Sequence, residues 1–181
     1  MIDYRVSQWR AAGKDVELRW IWRELDQISP NLRRAVVVAE DSSFWEHQGF
    51  DWESLRAAWE KNRAQGNYTV GGSTITQQLA KNLYLSPSKS LTRKAREAIL
   101  AWRLERNLSK ARILELYLNV VEWDEGVFGA EAAALNYYKT SVTSLSRQQA
   151  ATLAALLPGP LMRDPGQRHV QRVAAIIQRR M

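Results

Sequence analysis

Two carboxylates stand side by side at Glu40 and Asp41, inside the stretch AVVVAEDSSFWEHQGF from Ala35 to Phe50. An acid can serve as a general base at neutral pH when its surroundings raise its pKa towards that range. A helix is the element that delivers it. Ser29 suits the N-cap, Pro30 suits the first turn, and Leu32, Ala35, Val36 and Ala39 recur at helical spacing. Glu40 and Asp41 then fall at the negative end of the helix dipole, where a carboxylate is disfavoured by up to ~1 kcal/mol. On this stretch alone, a solvated helix end whose acids pair with nearby Arg side chains is the simpler account.

A second set of residues could handle an anion. In NYTVGGSTITQQLAKNLYLSPSK, Gly71 and Gly72 permit unusual backbone angles, and Ser73 or Thr74 can cap the helix that follows. Thr74 and Gln77 have capping-box spacing. A glycine pair opening onto a helix start presents free N–H groups, a ready anion site, although Gly-Gly-Ser alone is a weak signal. Lys81 follows two turns after Thr74, with Gln77 and Gln78 one turn before it. Further on, Leu91, Ala95, Ala98, Ile99 and Trp102 mark an amphipathic helix from about Ser90 to Leu108. Its polar side carries Arg93, Lys94, Arg96 and Glu97, and Lys89 lies just upstream. This is either a cationic patch for a phosphate group, ordered by Glu97, or an exposed helix with weak salt bridges.

Composition narrows the field. Lys and Arg number 26 against 19 acids, a net charge of +7, so anionic partners are expected: nucleic acid, a phosphate-bearing substrate or an acidic membrane surface. The chain has no cysteine, which excludes disulfides and thiolate metal sites. Its two histidines, His47 and His169, are far apart in sequence; His47 reads as a loop brace, and no metal site is assigned. Eight Trp residues suit a core, a membrane interface or a sugar groove. No apolar run approaches the roughly 20 residues of a membrane span.

The remaining segments supply the frame. Residues 1–28 read as an extended or short-helical lead-in rich in Trp and charge. Asp51 suits the N-cap of a helix bearing Trp52, Leu55, Ala58 and Trp59. Ser109 caps KARILELYLN, GVFGAEAAALNYY reads as a helix with Glu131 as a structural acid, and Ser146 with Gln149 forms a capping box before AATLAALL. Val170, Val173, Ala174, Ile177 and Met181 mark a C-terminal helix. The pattern predicts a mainly α protein of about eight helices, one domain in two lobes with a ligand groove between them.

At this point the motifs become specific. EDSSFWEHQGFDW, GGSTITQQLAKNLYL, RKAREAILAWRLE, KARILELYLN and GVFGAEAAALNYY occur in an order and spacing similar to the five motifs of the peptidoglycan glycosyltransferases, which polymerise lipid II into glycan strands. The chain resembles the monofunctional biosynthetic transglycosylases from about Leu25 to its end, with residues 29–181 as the catalytic domain. That subtype carries an N-terminal membrane anchor, so a truncated chain is expected.

The resemblance implies a lysozyme-like helical head with a smaller, membrane-facing jaw, at the outer face of the bacterial cytoplasmic membrane. It implies Glu40 as the base that deprotonates the acceptor's 4-hydroxyl and Glu97 as a second essential acid. Lys81 and Lys89 would bind the donor's pyrophosphate. Ser73, Thr74, Gln77 and Gln78 would form the groove wall, with Arg93 and Lys94 beside it. For Asp41 the roles of base, metal partner and brace all stay open. Mg2+ or Mn2+ is implied as a cofactor, with no organic cofactor. Expected partners are lipid II, the growing lipid-linked chain, a membrane surface and cell-wall synthesis and division proteins, not nucleic acid. Lys89 stands where Arg is common, Arg112 where an acid is frequent and Gln149 where Glu is frequent.

Two other readings compete. A lysozyme-like muramidase or lytic transglycosylase shares a helical frame and a catalytic Glu, but it needs a general acid for its leaving alcohol and no cationic cluster. A basic helical nucleic-acid-binding domain would use the net charge but would give Glu40 and Glu97 no role.

Overall fold

The computed structural model describes residues 2–65, 72–86 and 90–181. Helices dominate: α1 (Ile2–Ala11), α2 (Pro30–Glu40), α3 (Trp52–Gln65), α4 (Ile75–Tyr84), α5 (Leu91–Asn107), α6 (Lys110–Val120), α7 (Ala130–Tyr138), α8 (Arg147–Leu156) and α9 (Arg168–Arg180). Most helix starts follow caps legible in the sequence, and Ser90 caps α5 as well. Ser29 accepts from Asn31 N, Ser90 from Arg93 N and Ser109 from Arg112 N, while Thr74–Gln77 and Ser146–Gln149 close as reciprocal capping boxes.

The buried core draws on α2, α4, α6, α7, α8 and α9, with Leu32, Ala35 and Val36 of α2 joined by Leu153 and Ala154 of α8 and by Val170, Ala174 and Ile177 of α9. Among the described residues neither α3 nor α5 puts a fully buried side chain into this cluster, although Leu104 of α5 packs against it. On α5 the apolar stripe faces outward: Leu91 and Trp102 are 89% and 48% exposed, whereas Glu97 and Ala101 are buried. The face used for packing against α4 is therefore the one that carries the acid. On α3, Trp52 and Trp59 are likewise exposed while Ala58 is buried.

A small sheet joins the lead-in to the body. β1 (Arg19–Trp20) runs parallel to β3 (Val127–Phe128), which pairs antiparallel with β2 (Glu122–Asp124). Asn119 at the end of α6 secures the same segment, accepting from Arg23 N and donating to Arg23 O, and its carbonyl accepts from the Trp20 indole. GVFGAEAAALNYY is thus not one helix. Val127 and Phe128 form a strand, and Gly129, at φ 81°, turns the chain into α7. A Cβ there would lie 2.8 Å from the Asn119 carbonyl oxygen, so only glycine fits this turn. Among the described residues, no helix is long and apolar enough to cross a membrane.

Candidate active site

Glu40 is the last residue of α2, and α2 carries no basic residue in its last turn to offset the dipole. Its Oε2 accepts from Gln78 Nε2 at 2.8 Å. Gln78 is itself held by the hydroxyl of fully buried Tyr117, which donates to Oε1 at 2.9 Å. The order hydroxyl, amide, carboxylate fixes which end of the Gln78 amide meets Glu40. The other oxygen, Glu40 Oε1, is buried with no hydrogen-bond partner among the described residues. Leaving a buried acceptor bare costs about 1–3 kcal/mol, a cost that a bound hydroxyl donor relieves. Burial pushes the Glu40 carboxyl above its ordinary pKa and Asp41 adds to that rise, against the Gln78 hydrogen bond and the charges of Lys81 and Arg163.

Asp41 behaves differently from its neighbour. Its Oδ2 accepts from Ile75 N, the first amide of α4, at 2.9 Å, and both oxygens lie within 3.0 Å of His47 Nε2. Gly49 N donates to His47 Nδ1, so the ring proton sits on Nε2 and points at Asp41. Asp41 thereby ties the end of α2 to the start of α4, and His47 is the brace its loop position suggests. Lys110 lies 3.5 Å from His47 Nδ1 and pairs with Glu105, which accepts from Thr76 Oγ1.

The cations come from α4 and α5. Glu97 is buried between Arg93, at 2.6 Å, and Lys94, whose Nζ also donates to Ser73 Oγ. Lys81 makes no ion pair among the described residues, while its charge interacts with both Glu40 and Glu97. Burial lowers its pKa, with help from Arg93 and Lys94, and the two acids oppose this. Arg93, Lys94 and Lys81 thus stand as three cations around one acid. Lys89 lies outside the described residues, as does Gly71.

The remaining candidate residues build the wall. Thr74 Oγ1 donates to Gly49 O at 2.8 Å and accepts from Gln77 N, and Gln77 returns a carbonyl to Thr74 N. Gln77 is therefore committed to the cap, whereas Gln78, one residue on, faces Glu40. A cavity of about 190 Å³ opens beside Glu40, lined also by Ser42, Asp51, Ser54, Ser73 and Arg180. Tyr117, Asp51 and Arg180 were not among the sequence candidates for the site. Nothing local to Tyr117 reveals a contact to a residue 39 positions away. Asp51 was legible as a cap, but its place in the cavity required the fold.

A divalent ion finds no ready ligand set here. Among the described residues, no three His, Asp or Glu side chains converge to hold a metal. Both Asp41 oxygens are already engaged, and the positive charges of Lys81 and Arg163 already act on Glu40. The described residues do not fit a protein-held metal centre.

Comparison with known proteins agrees with this architecture. A family model described as transglycosylase matches residues 9–181. A biosynthetic peptidoglycan transglycosylase of Laribacter hongkongensis is 48% identical over 99% of this chain and 80% of its own length. The proteins of the same name from Methylobacillus flagellatus and Aromatoleum aromaticum are 53% and 52% identical, covering 92% and 88% of this chain and 74% and 69% of theirs. The chain belongs to the transglycosylase family.

Proposed function

We propose that this chain polymerises lipid II into peptidoglycan glycan strands at the bacterial cell envelope, with Glu40 as the general base. The observation that carries the reading is the contrast around Glu40: one oxygen is fixed by Gln78 and the other is bare, next to a cavity and to a separate cationic cluster. The acceptor's 4-hydroxyl donates to the bare oxygen and gives up its proton as its own oxygen attacks the donor's anomeric carbon. The bond from that carbon to the pyrophosphate oxygen breaks, its electron pair leaves with the pyrophosphate, and the configuration inverts. A positioned carboxylate contributes about 10² to 10⁴-fold to such a step.

The leaving group departs as an anion and needs charge neutralisation more than a proton. Lys81, Arg93 and Lys94 supply it, and Glu97 keeps the latter two in place. Ser73 bridges the two sides, on the cavity wall and bonded to Lys94, and Lys89 is assigned to the pyrophosphate by its motif alone. Mg2+ or Mn2+ would accompany the pyrophosphate as a further source of positive charge rather than occupy a protein ligand set. A hydrolase has no use for three cations around one acid, which favours transfer over cleavage.

The outward-facing Trp52, Trp59, Leu91, Ile99 and Trp102 support a membrane surface as partner. Arg63 and Arg106 lie over the Trp59 and Trp102 rings, an arrangement suited to anionic headgroups above apolar chains. The test is incubation with fluorescent lipid II in detergent, followed by lysozyme digestion of the products on a gel. A lysozyme-sensitive ladder is expected. Cleavage of preformed glycan without chain growth would overturn the reading in favour of a hydrolase.

A further inference from the structure

The cavity beside Glu40 and the cationic cluster are two separate places. The cavity is lined by Val38, Ala39, Glu40, Asp41, Ser42, Asp51, Ser54, Gly72, Ser73, Thr74 and Arg180; Lys81, Arg93 and Lys94 are not part of this lining. Ser73 stands at the boundary, on the cavity wall and in the grip of Lys94. The cavity holds three carboxylates and four hydroxyl side chains, which disfavours a pyrophosphate and suits the hydroxyl and amide groups of a sugar. Within the proposed function, inversion demands that attacking and leaving oxygens lie on opposite sides of the anomeric carbon. The leaving pyrophosphate belongs with the cations, so the attacking sugar belongs in the cavity.

We propose that Asp51 and Arg180 are acceptor-positioning residues, which hold the terminal sugar of the acceptor in this cavity so that its 4-hydroxyl meets Glu40. Asp51 is fixed before any ligand arrives. Its Oδ2 accepts from Ser43 and Ser54 hydroxyls and its Oδ1 from Ser54 N at 2.8 Å, which leaves one oxygen with a single donor. A carboxylate so placed accepts from a sugar hydroxyl without having to reorganise. Those same hydrogen bonds hold Asp51 down to a pKa of about 2, so it is ionised throughout the working range.

Arg180 reaches the cavity because α9 ends against α2. Arg34 Nη1 donates to Met181 O at 3.0 Å, and Arg180 lines the wall one turn further along α2, at Val38 and Ala39. Among the described residues Arg180 makes no salt bridge, so its five donors are available to sugar hydroxyl and acetamido oxygens.

The inference rests on the polymerase reading, and the test separates the two. A lipid-linked chain whose terminal 4-hydroxyl is blocked serves only as donor, and lipid II is then varied as acceptor. Asp51→Asn keeps an N-cap oxygen for α3 and so isolates the carboxylate from the cap. In Asp51→Asn and Arg180→Gln the acceptor KM should rise about tenfold each, as expected for a lost charge-assisted hydrogen bond. Donor KM and kcat at saturating acceptor should stay within about threefold of the parent, and Arg180→Lys should recover part of the loss. An active parent whose two variants keep the parent's acceptor KM would overturn this inference alone. A parent that joins no units would overturn the polymerase reading and this inference with it.

Discussion

Glu40 and Glu97 both act electrostatically on Lys81, from two different helices, and their surroundings differ in kind. Glu97 is held by two cations, Arg93 and Lys94. Among the described residues Glu40 has a single amide donor on one oxygen and nothing on the other, and burial raises its pKa. The same side chain is thus fitted for two tasks by what lies around it. A carboxylate held between two cations organises charge. One left half-satisfied at the end of a helix dipole is poised to take one.

The contrast is broken most severely at Glu40. Glu40→Gln should lower kcat by about 10² to 10⁴-fold with the fold intact, read as loss of polymer with an unchanged unfolding transition. Lys81→Ala should cost about 10² to 10³-fold in kcat, since it removes a cation that no salt bridge among the described residues engages. Retention of full turnover there would remove Lys81 from the chemistry. Glu97→Gln should reduce activity about 10 to 100-fold and, unlike Glu40→Gln, also lower stability by about 1–3 kcal/mol, because Arg93 and Lys94 lose their counter-ion. Equal stability losses in the two Gln variants would erase the distinction. The smallest effect is expected at Tyr117→Phe, a few-fold loss of activity as the Gln78 amide is freed.

Much of this frame is legible from local chemistry. Ser29, Thr74, Ser109 and Ser146 announce their helices because a cap is decided within four residues. The small sheet is not legible, since strands of two or three residues show no alternation, and β1 is paired with a strand more than a hundred residues later. The outward turn of the α5 stripe escapes for another reason. Periodicity shows that Leu91, Ile99 and Trp102 share a face, but not which face the rest of the protein covers.

At the site, the motifs bring Glu40, Lys81 and Glu97 to attention, yet the difference between Gln77 and Gln78 appears only in three dimensions. One closes a cap and the other reaches 38 residues back to Glu40. Tyr117 and Arg180 depend wholly on long-range packing, of α6 against α4 and of α9 against α2.

The pH dependence of kcat/KM, compared between the parent and Gln78→Leu, tests the role of Glu40 most directly. The free-enzyme base sets the acidic limb, and activity falls as pH drops through its pKa. Burial raises the Glu40 pKa and the Gln78 hydrogen bond lowers it, so the parent limb should lie above the ordinary glutamate range and move to still higher pH in Gln78→Leu. A limb at an ordinary glutamate value that stays in place when Gln78 is replaced would contradict Glu40 as the base.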